Sequence, residues 1–344
     1  MQQNRSPSDE TRPDPTWRIG PVAIRRRAVL APMSGVTDLH MRRIAAGFGA
    51  GLVVSEMVAS DEFVKGDEET RVRAEGEGVS PHVVQLAGCD AHWMAEAARL
   101  AEANGADAVD INMGCPAKRV TGGWAGSALM RDLDHATGLI EATVAAVSIP
   151  VTVKMRLGWD DASCNAPELA RRAEVAGAQA ITVHGRTRQQ FYKGNADWDA
   201  IRPVRAATTL PLVANGDIAT LDDARVCLAR SGADAVMIGR AATGRPWLVA
   251  TIGAGLAGEY ASEPSAEAKV SAMRAHYEGL LALYGARMAV RHARKHLAAF
   301  ADHARADGFA LPQAARARLV TSDDPAEVLA LIGAVYTHPL RDAA

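Results

Sequence analysis

The feature that most constrains this chain is a recurrence. Eight short apolar runs start near Ala28, Gly51, His82, Asp107, Pro150, Gln179, Leu210 and Asp234, and each is followed by a segment of helical periodicity. Successive starts lie 23 to 43 residues apart, enough for a strand, a short helix and two loops. Runs such as Val83-Val-Gln-Leu86 and Ala235-Val-Met-Ile238 are apolar at nearly every position, as strands covered on both faces must be. Three units share a cassette: Gly105-Ala-Asp-Ala-Val109, Gly177-Ala-Gln-Ala-Ile181 and Gly232-Ala-Asp-Ala-Val236. In each, a glycine stands where a helix should end and a β-branched run where a strand should begin. The alternation predicts an α/β chain with a parallel sheet. Eight units within the 213 residues from Ala28 to Arg240 predict a (β/α)8 TIM barrel over 17–245, with an open doubly wound sheet as the competing arrangement.

The flanks differ from this core. Residues 1–16 hold three prolines and almost nothing apolar, so they are expected to be a disordered tail. After Pro246 no strand-type run recurs, and alanine- and leucine-rich segments at 267–304 and 312–335 predict an all-helical second domain over 246–344. There, Arg287, Arg291, Arg294 and Lys295 are spaced to share one helix face, and no acidic residue intervenes between Glu278 and Asp302. The whole chain carries 38 basic and 40 acidic side chains, which excludes a surface that is basic throughout and leaves room for a local basic groove. No apolar run reaches the roughly 18–20 residues needed to cross a bilayer, and the first residues contain no secretory apolar stretch. The four cysteines (89, 115, 164, 227) have neither CxxC nor regular spacing, so a reducing, cytoplasmic setting without a metal site or disulfides is expected.

In such a barrel chemistry is done at the C-terminal ends of the strands. Here those ends read Pro32-Met33-Ser34-Gly35, Ser55-Glu56, Gln85, Asn112 to Cys115, Lys154 with Arg156, His184-Gly185-Arg186, Asn215-Gly216-Asp217 and Gly239-Arg240. Eight convergent polar ends on an apolar barrel make a cofactor and substrate mouth. Glycines after the seventh and eighth runs let backbone approach a phosphate, or serve only as turn residues. Lys154 within a strand requires an anion, either a reduced flavin or a structural partner, Glu56 or Asp110. Gln85 can donate and accept toward a heterocycle edge. Cys115 lies in a loop ahead of Thr121-Gly-Gly-Trp-Ala-Gly126, which is suited to a mobile lid. Thiols ordinarily titrate near about 8.5, so a positioned thiol donates a proton near neutrality.

Six motifs together carry a family resemblance: Ala31-Pro-Met-Ser-Gly-Val-Thr-Asp38, Ile111-Asn-Met-Gly-Cys-Pro-Ala-Lys118, Val153-Lys-Met-Arg156, His184-Gly-Arg-Thr-Arg188, Ala214-Asn-Gly-Asp-Ile218 and Ile238-Gly-Arg240. In this order, from Ile19 to about His296, the chain resembles the bacterial tRNA-dihydrouridine synthases, the B-type branch most of all. The resemblance implies a monomeric reductase that holds FMN, takes electrons from NADPH and saturates the C5–C6 bond of a uridine in tRNA. It implies that Pro32, Met33, Ser34, Gln85, Lys154, His184, Asn215, Gly216, Asp217, Gly239 and Arg240 line FMN. Cys115 is then the general acid, Asn112 and Arg156 hold the uracil, Arg186 also binds substrate, and Arg291, Arg294 and Lys295 grip tRNA. After His296 the family usually has a Trp- or Tyr-bearing segment where this chain has Leu297-Ala-Ala-Phe300, and Gly122-Gly123 replace charged lid residues; both departures are expected to touch RNA contacts. The competing functions are an FMN barrel that reduces a free pyrimidine, which needs no basic helical appendage, and a non-catalytic RNA-binding regulator, which needs neither Cys115 nor Lys154.

Overall fold

A computed structural model describes residues 17–260 and 262–340; the predicted tail over 1–16 and the last four residues of the predicted helical span lie outside the described residues. The eight apolar runs form β3 (Ala28–Leu30), β4 (Leu52–Ala59), β5 (His82–Ala87), β6 (Ala108–Met113), β7 (Val151–Arg156), β8 (Ala180–His184), β9 (Leu212–Asn215) and β10 (Ala235–Ile238). All are parallel and follow one another in order, and β10 pairs with β3 to close the barrel. The open sheet is excluded. Around it run α1 (Leu39–Phe48), α2 (Ser60–Val64), α3 (Glu68–Ala74), α4 (Ala91–Ala103), α5 (Lys118–Thr121), α6 (Leu133–Ala146), α7 (Ala166–Val175), α8 (Arg202–Ala207), α9 (Leu221–Ser231) and α10 (Leu248–Leu256). The cassette glycines Gly105, Gly177 and Gly232 all have positive φ, the left-handed turn that ends a helix and returns the chain to the next strand.

Sequence periodicity misses the hairpin β1 (Trp17–Ile19) and β2 (Val22–Ile24), because three-residue strands carry too little alternation to register. Its role is physical. Trp17, Ile19 and Ile24 pack with Val29, Val54, Val83, Ala108, Val213 and Met237 in the barrel interior, closing one end of the barrel. The Trp17 indole N–H donates to the Arg26 carbonyl at 3.0 Å.

The helical part also begins later than position 246. Leu248, Val249 and Ile252 of α10 belong to the core between strands and barrel helices, so α10 completes the eighth βα unit. Its chain lies tight against α9: a Cβ at Gly255 would fall 2.4 Å from Leu221. The appended unit is α11 (Ala266–Ala306), α12 (Gln313–Thr321) and α13 (Pro325–Ala334). Its core gathers Met273, Tyr277, Leu280, Leu297, Phe300, Leu319, Ile332 and Tyr336, with Ile44 and Phe48 of α1 packed against it. Leu297 and Phe300 are therefore core residues, and the departure over Leu297–Phe300 concerns packing, not RNA contact. Gly285 interrupts α11 with φ 68° and ψ 162°, bending it midway. Among the described residues no helix is long and apolar enough to cross a membrane.

Candidate active site

Strand register builds the site. Asn112 lies beside Lys154, Arg156 beside His184, and His184 beside Asn215, so neighbouring strands deliver their polar ends at one level. They open into one cavity of about 1280 Å³. Its lining includes Pro32, Met33, Ser34, Gln85, Asn112, Cys115, Lys154, Arg156, His184, Asn215, Gly216, Asp217, Gly239 and Arg240. Arg186 is absent from it.

A continuous hydrogen-bond chain fixes the cavity floor. Thr152 Oγ1 and Gln85 Nε2 donate to the two Asp110 carboxylate oxygens at 2.6 and 2.7 Å. Asn112 Nδ2 donates to Gln85 Oε1 at 2.8 Å, and Asn112 Oδ1 accepts from the backbone N–H groups of Gly114 and Cys115 at 3.1 and 2.9 Å. The Cys115 carbonyl accepts from Ser127 N and Oγ at 3.1 and 2.8 Å. Cys115 is thereby held on both sides, on a loop its neighbours orient. Burial pushes the Asp110 carboxyl up, with the Gln85 and Thr152 hydrogen bonds opposing it.

Lys154 has no carboxylate within 4 Å among the described residues. Its Nζ donates to Asn215 Oδ1 at 3.2 Å, so neither Glu56 nor Asp110 supplies the structural partner. Burial first, then the neighbouring Arg156, pushes the ammonium down to about 8, with Asp110 opposing. Burial likewise holds the His184 imidazolium well below its ordinary range, reinforced by Lys154, Arg156, Arg186 and Arg240, so the ring is neutral near pH 7. Arg186 Nη1 approaches His184 Nε2 at 3.3 Å, and because a guanidinium only donates, Nε2 accepts and the ring proton is assigned to Nδ1.

Two arginines chosen from the sequence are built into the walls. Arg186 is 1% exposed and grips Asp217 with two hydrogen bonds, at 3.1 and 2.5 Å, while also donating to the carbonyls of Lys193 and Gly194. Every donor edge is engaged behind the cavity, so Arg186 is a positioning residue and not a substrate contact, a correction to the sequence reading. Arg156 donates from Nε to the Gly114 carbonyl and from Nη1 to those of Thr187 and Phe191, tying the Cys115 loop to the loop after β8. Its remaining amino group is left for the cavity it lines. The Asp217 carboxylate is likewise filled by Arg186, Arg240 and the Ala196 N–H. Gly216, with φ 122°, admits no side chain, since a Cβ would fall 2.6 Å from Ala196 and 2.9 Å from the His184 ring. A Cβ at Gly239 would meet nothing nearer than Met33 Sδ at 3.7 Å, so that backbone is open toward the cavity.

The helical unit meets the rim from behind. Lys295 Nζ donates to the Gly35 carbonyl, and Arg294 pairs with Asp323 at 3.2 Å, so two of the four aligned cations already have partners. Arg287, Arg291, Arg294 and Lys295 are exposed on α11 and lie outside the cavity lining. Beneath them, Asp38 Oδ1 caps α1 through the N–H groups of His40 and Met41, while Oδ2 accepts from His276 Nε2 at 2.9 Å. Burial raises the Asp38 carboxyl, but His276 and the capping bonds outweigh it and hold it well below the usual carboxylate range. His296 crosses the His276 ring at 4.4 Å, and both its nitrogens are buried without a partner.

Sequence reasoning did not single out Met57, Arg73, Trp93, Phe191 or Tyr192, which also line the cavity. Phe191 and Tyr192 stack edge to face at 4.8 Å, with Arg240 5.0 Å from the Tyr192 ring. Their one local signal is a pair of adjacent aromatics in a polar loop. The junction of Asp38 with His276 spans 238 residues and leaves no local signal at all.

A profile of the dihydrouridine synthase family matches residues 29–327. A probable tRNA-dihydrouridine synthase of Rhizobium leguminosarum bv. phaseoli is 57% identical over 90% of this chain and 95% of its own length. One from Rhodobacter capsulatus is 51% identical over 92% and 96%, and a tRNA-dihydrouridine synthase B of Xanthomonas axonopodis pv. citri is 46% identical over 85% and 89%. Among solved structures, a 2-naphthoyl-CoA reductase superposes with TM-score 0.55 at 13% identity, covering 71% of this chain and 52% of its own. At that identity the likeness concerns the fold alone.

Proposed function

The chain belongs to the dihydrouridine synthase family, and from that membership we propose that it is an FMN-dependent, NADPH-using tRNA-dihydrouridine synthase that reduces the C5–C6 bond of a uridine in tRNA. The observation that carries this reading is one cavity in which a cysteine on a hydrogen-bonded loop, a lysine without a carboxylate partner and a neutral histidine face the same space. We place the protein in the cytoplasm, as a monomer.

The cavity fits a flavin by its chemistry. Lys154 offers a cation with no carboxylate partner, Gln85 and Asn215 add amide edges, and Pro32, Met33 and Ser34 form one wall. Gly216 and Gly239 keep the backbone bare beside Asp217 and Arg240, where a phosphate would be met by N–H groups and a guanidinium. When bound, FMN reduced by NADPH supplies a hydride to C6 of the uracil. Cys115 supplies the matching proton: its S–H bond breaks and the proton goes to C5 as negative charge develops there, so one hydride and one proton saturate the bond. Asn112 holds the Cys115 loop through its carbonyl oxygen and gives one amide N–H to Gln85, which leaves its second N–H available to the uracil. Arg156 keeps one amino group for a uracil carbonyl. The neutral His184 adds a donor rather than a further charge to a mouth already rich in cations.

A free-pyrimidine reductase would share this mouth. The exposed cations of α11 beside it favour the larger substrate. The test is direct. Purified protein should be yellow, with a flavin spectrum, and tRNA from a strain lacking the gene should be missing dihydrouridine at a defined position. A folded, colourless protein that refuses FMN, or an unchanged dihydrouridine map, contradicts the reading.

A further inference from the structure

Outside the cavity, on the lid that follows Cys115, a stack of side chains remains unused by the chemistry above. Trp124 is 58% exposed and sits at φ 60°, a left-handed conformation that a bulky residue adopts only at a cost. Its neighbours Gly123 and Ala125 line the cavity while Trp124 itself does not. The Arg131 guanidinium lies 5.2 Å from the Trp124 ring and 4.9 Å from Trp159, and Arg188 lies 4.8 Å from the other partner of that pair, Trp159. Rings and cations thus alternate from the lid tip to the loop after β8.

The surroundings are positive. No acidic residue occurs between Asp110 and Asp132, and among the described residues Lys118, Arg119, Arg131 and Arg188 have no carboxylate within ion-pair distance. Asp160 and Asp161 follow Trp159 in the chain but pair with neither arginine.

We propose that Trp124, braced by Arg131, is the ledge on which a nucleobase next to the reacting uridine stacks, with Arg131 and Arg188 facing the adjoining phosphates. The inference rests on the tRNA reading above and names a specificity contact for it. A uridine that leaves its stack to enter the cavity deprives its neighbour of a stacking partner, and an exposed indole just outside the entrance replaces it. An indole held on one side by a guanidinium keeps its other face free for a base.

The experiment compares the flavin-loaded full chain with W124A and W124F, reading tRNA affinity, single-turnover dihydrouridine formation, and flavin reduction by NADPH. W124A should weaken tRNA binding about tenfold, with W124F recovering most of the loss and flavin reduction unchanged in both. tRNA affinity equal to wild type in W124A overturns the ledge, as does a W124F as poor as W124A. Slowed flavin reduction in W124A overturns it too, assigning the indole to the nicotinamide donor or to seating the lid. Wild-type protein that binds tRNA yet forms no dihydrouridine refutes the proposed reaction instead, and the affinity comparison still decides the ledge.

Discussion

The barrel mouth and the junction behind it are both buried and polar, yet they are built on opposite plans. In the mouth, Thr152, Asp110, Gln85, Asn112 and Cys115 form a chain in which each group supports the next, and the cation of Lys154 is left without a carboxylate, facing open space. At the junction, Asp38 and His276 consume one another, and His296 lies buried across the His276 ring. The difference separates binding from docking. The mouth that must receive an anion keeps one cation without a carboxylate, whereas the seam that holds two units together pairs its buried carboxylate with a histidine of the other unit.

The sharpest break of this comparison is at Cys115. C115A should leave flavin reduction by NADPH intact and slow dihydrouridine formation by about two to four orders of magnitude, the usual worth of a positioned general acid. Equal losses in both half-reactions, read by stopped-flow absorbance and nucleoside analysis, would return Cys115 to the loop's architecture.

Next in size is Lys154. Flavin should prefer the charged lysine, so affinity should be level below about pH 8 and fall above it, where the flavin-free protein loses that proton. K154M should bind flavin weakly at every pH. Fluorescence titrations that show a pH-independent affinity in the wild type would remove the lysine from the cofactor's surroundings.

At the junction the sign runs the other way. Because the Asp38 carboxyl is depressed in the folded protein, its contribution is complete above the ordinary aspartate range near about 4 and is lost as pH falls below that range toward the depressed folded value. D38A, which removes both the cap and the buried hydrogen bond, should cost about 3 kcal/mol. D38N keeps the cap and should flatten the acid flank of the stability curve. Denaturation of the three proteins from about pH 5 down to about 2 checks this; parallel curves over that range would mean that Asp38 is not the group responsible.

The smallest effect expected is on α11. Arg294 already pairs with Asp323, so R291E should weaken tRNA binding several-fold and lower its salt dependence more than R294E does. Equal effects would show that the Asp323 pair opens when RNA binds.

These regions also differ in how legible they are in sequence. The barrel follows from eight apolar runs and three glycine cassettes because each βα unit is a local pattern, and the strand ends converge because parallel register is set by adjacency. Cys115 and Lys154 stand out for the same reason: one is loop chemistry, the other a charge inside an apolar run. The junction is invisible because His276 and Asp38 each look ordinary on their own helix. Arg186 misleads for a related reason, since at a strand end it has the sequence signature of a ligand contact, and only its grip on Asp217 reveals that its donors are engaged. The hairpin β1–β2 is missed through brevity, and α10 through the absence of any sequence mark separating a barrel helix from an appended one.

The central claim is that the mouth reduces a uridine within tRNA. The most direct measurement is the mass of each nucleoside after the flavin-loaded protein and NADPH act on tRNA transcribed without modification, with free uridine treated in parallel. The account predicts a gain of two hydrogens on one or a few defined tRNA uridines and none on free uridine. Reduction of the free nucleoside with untouched tRNA would contradict it.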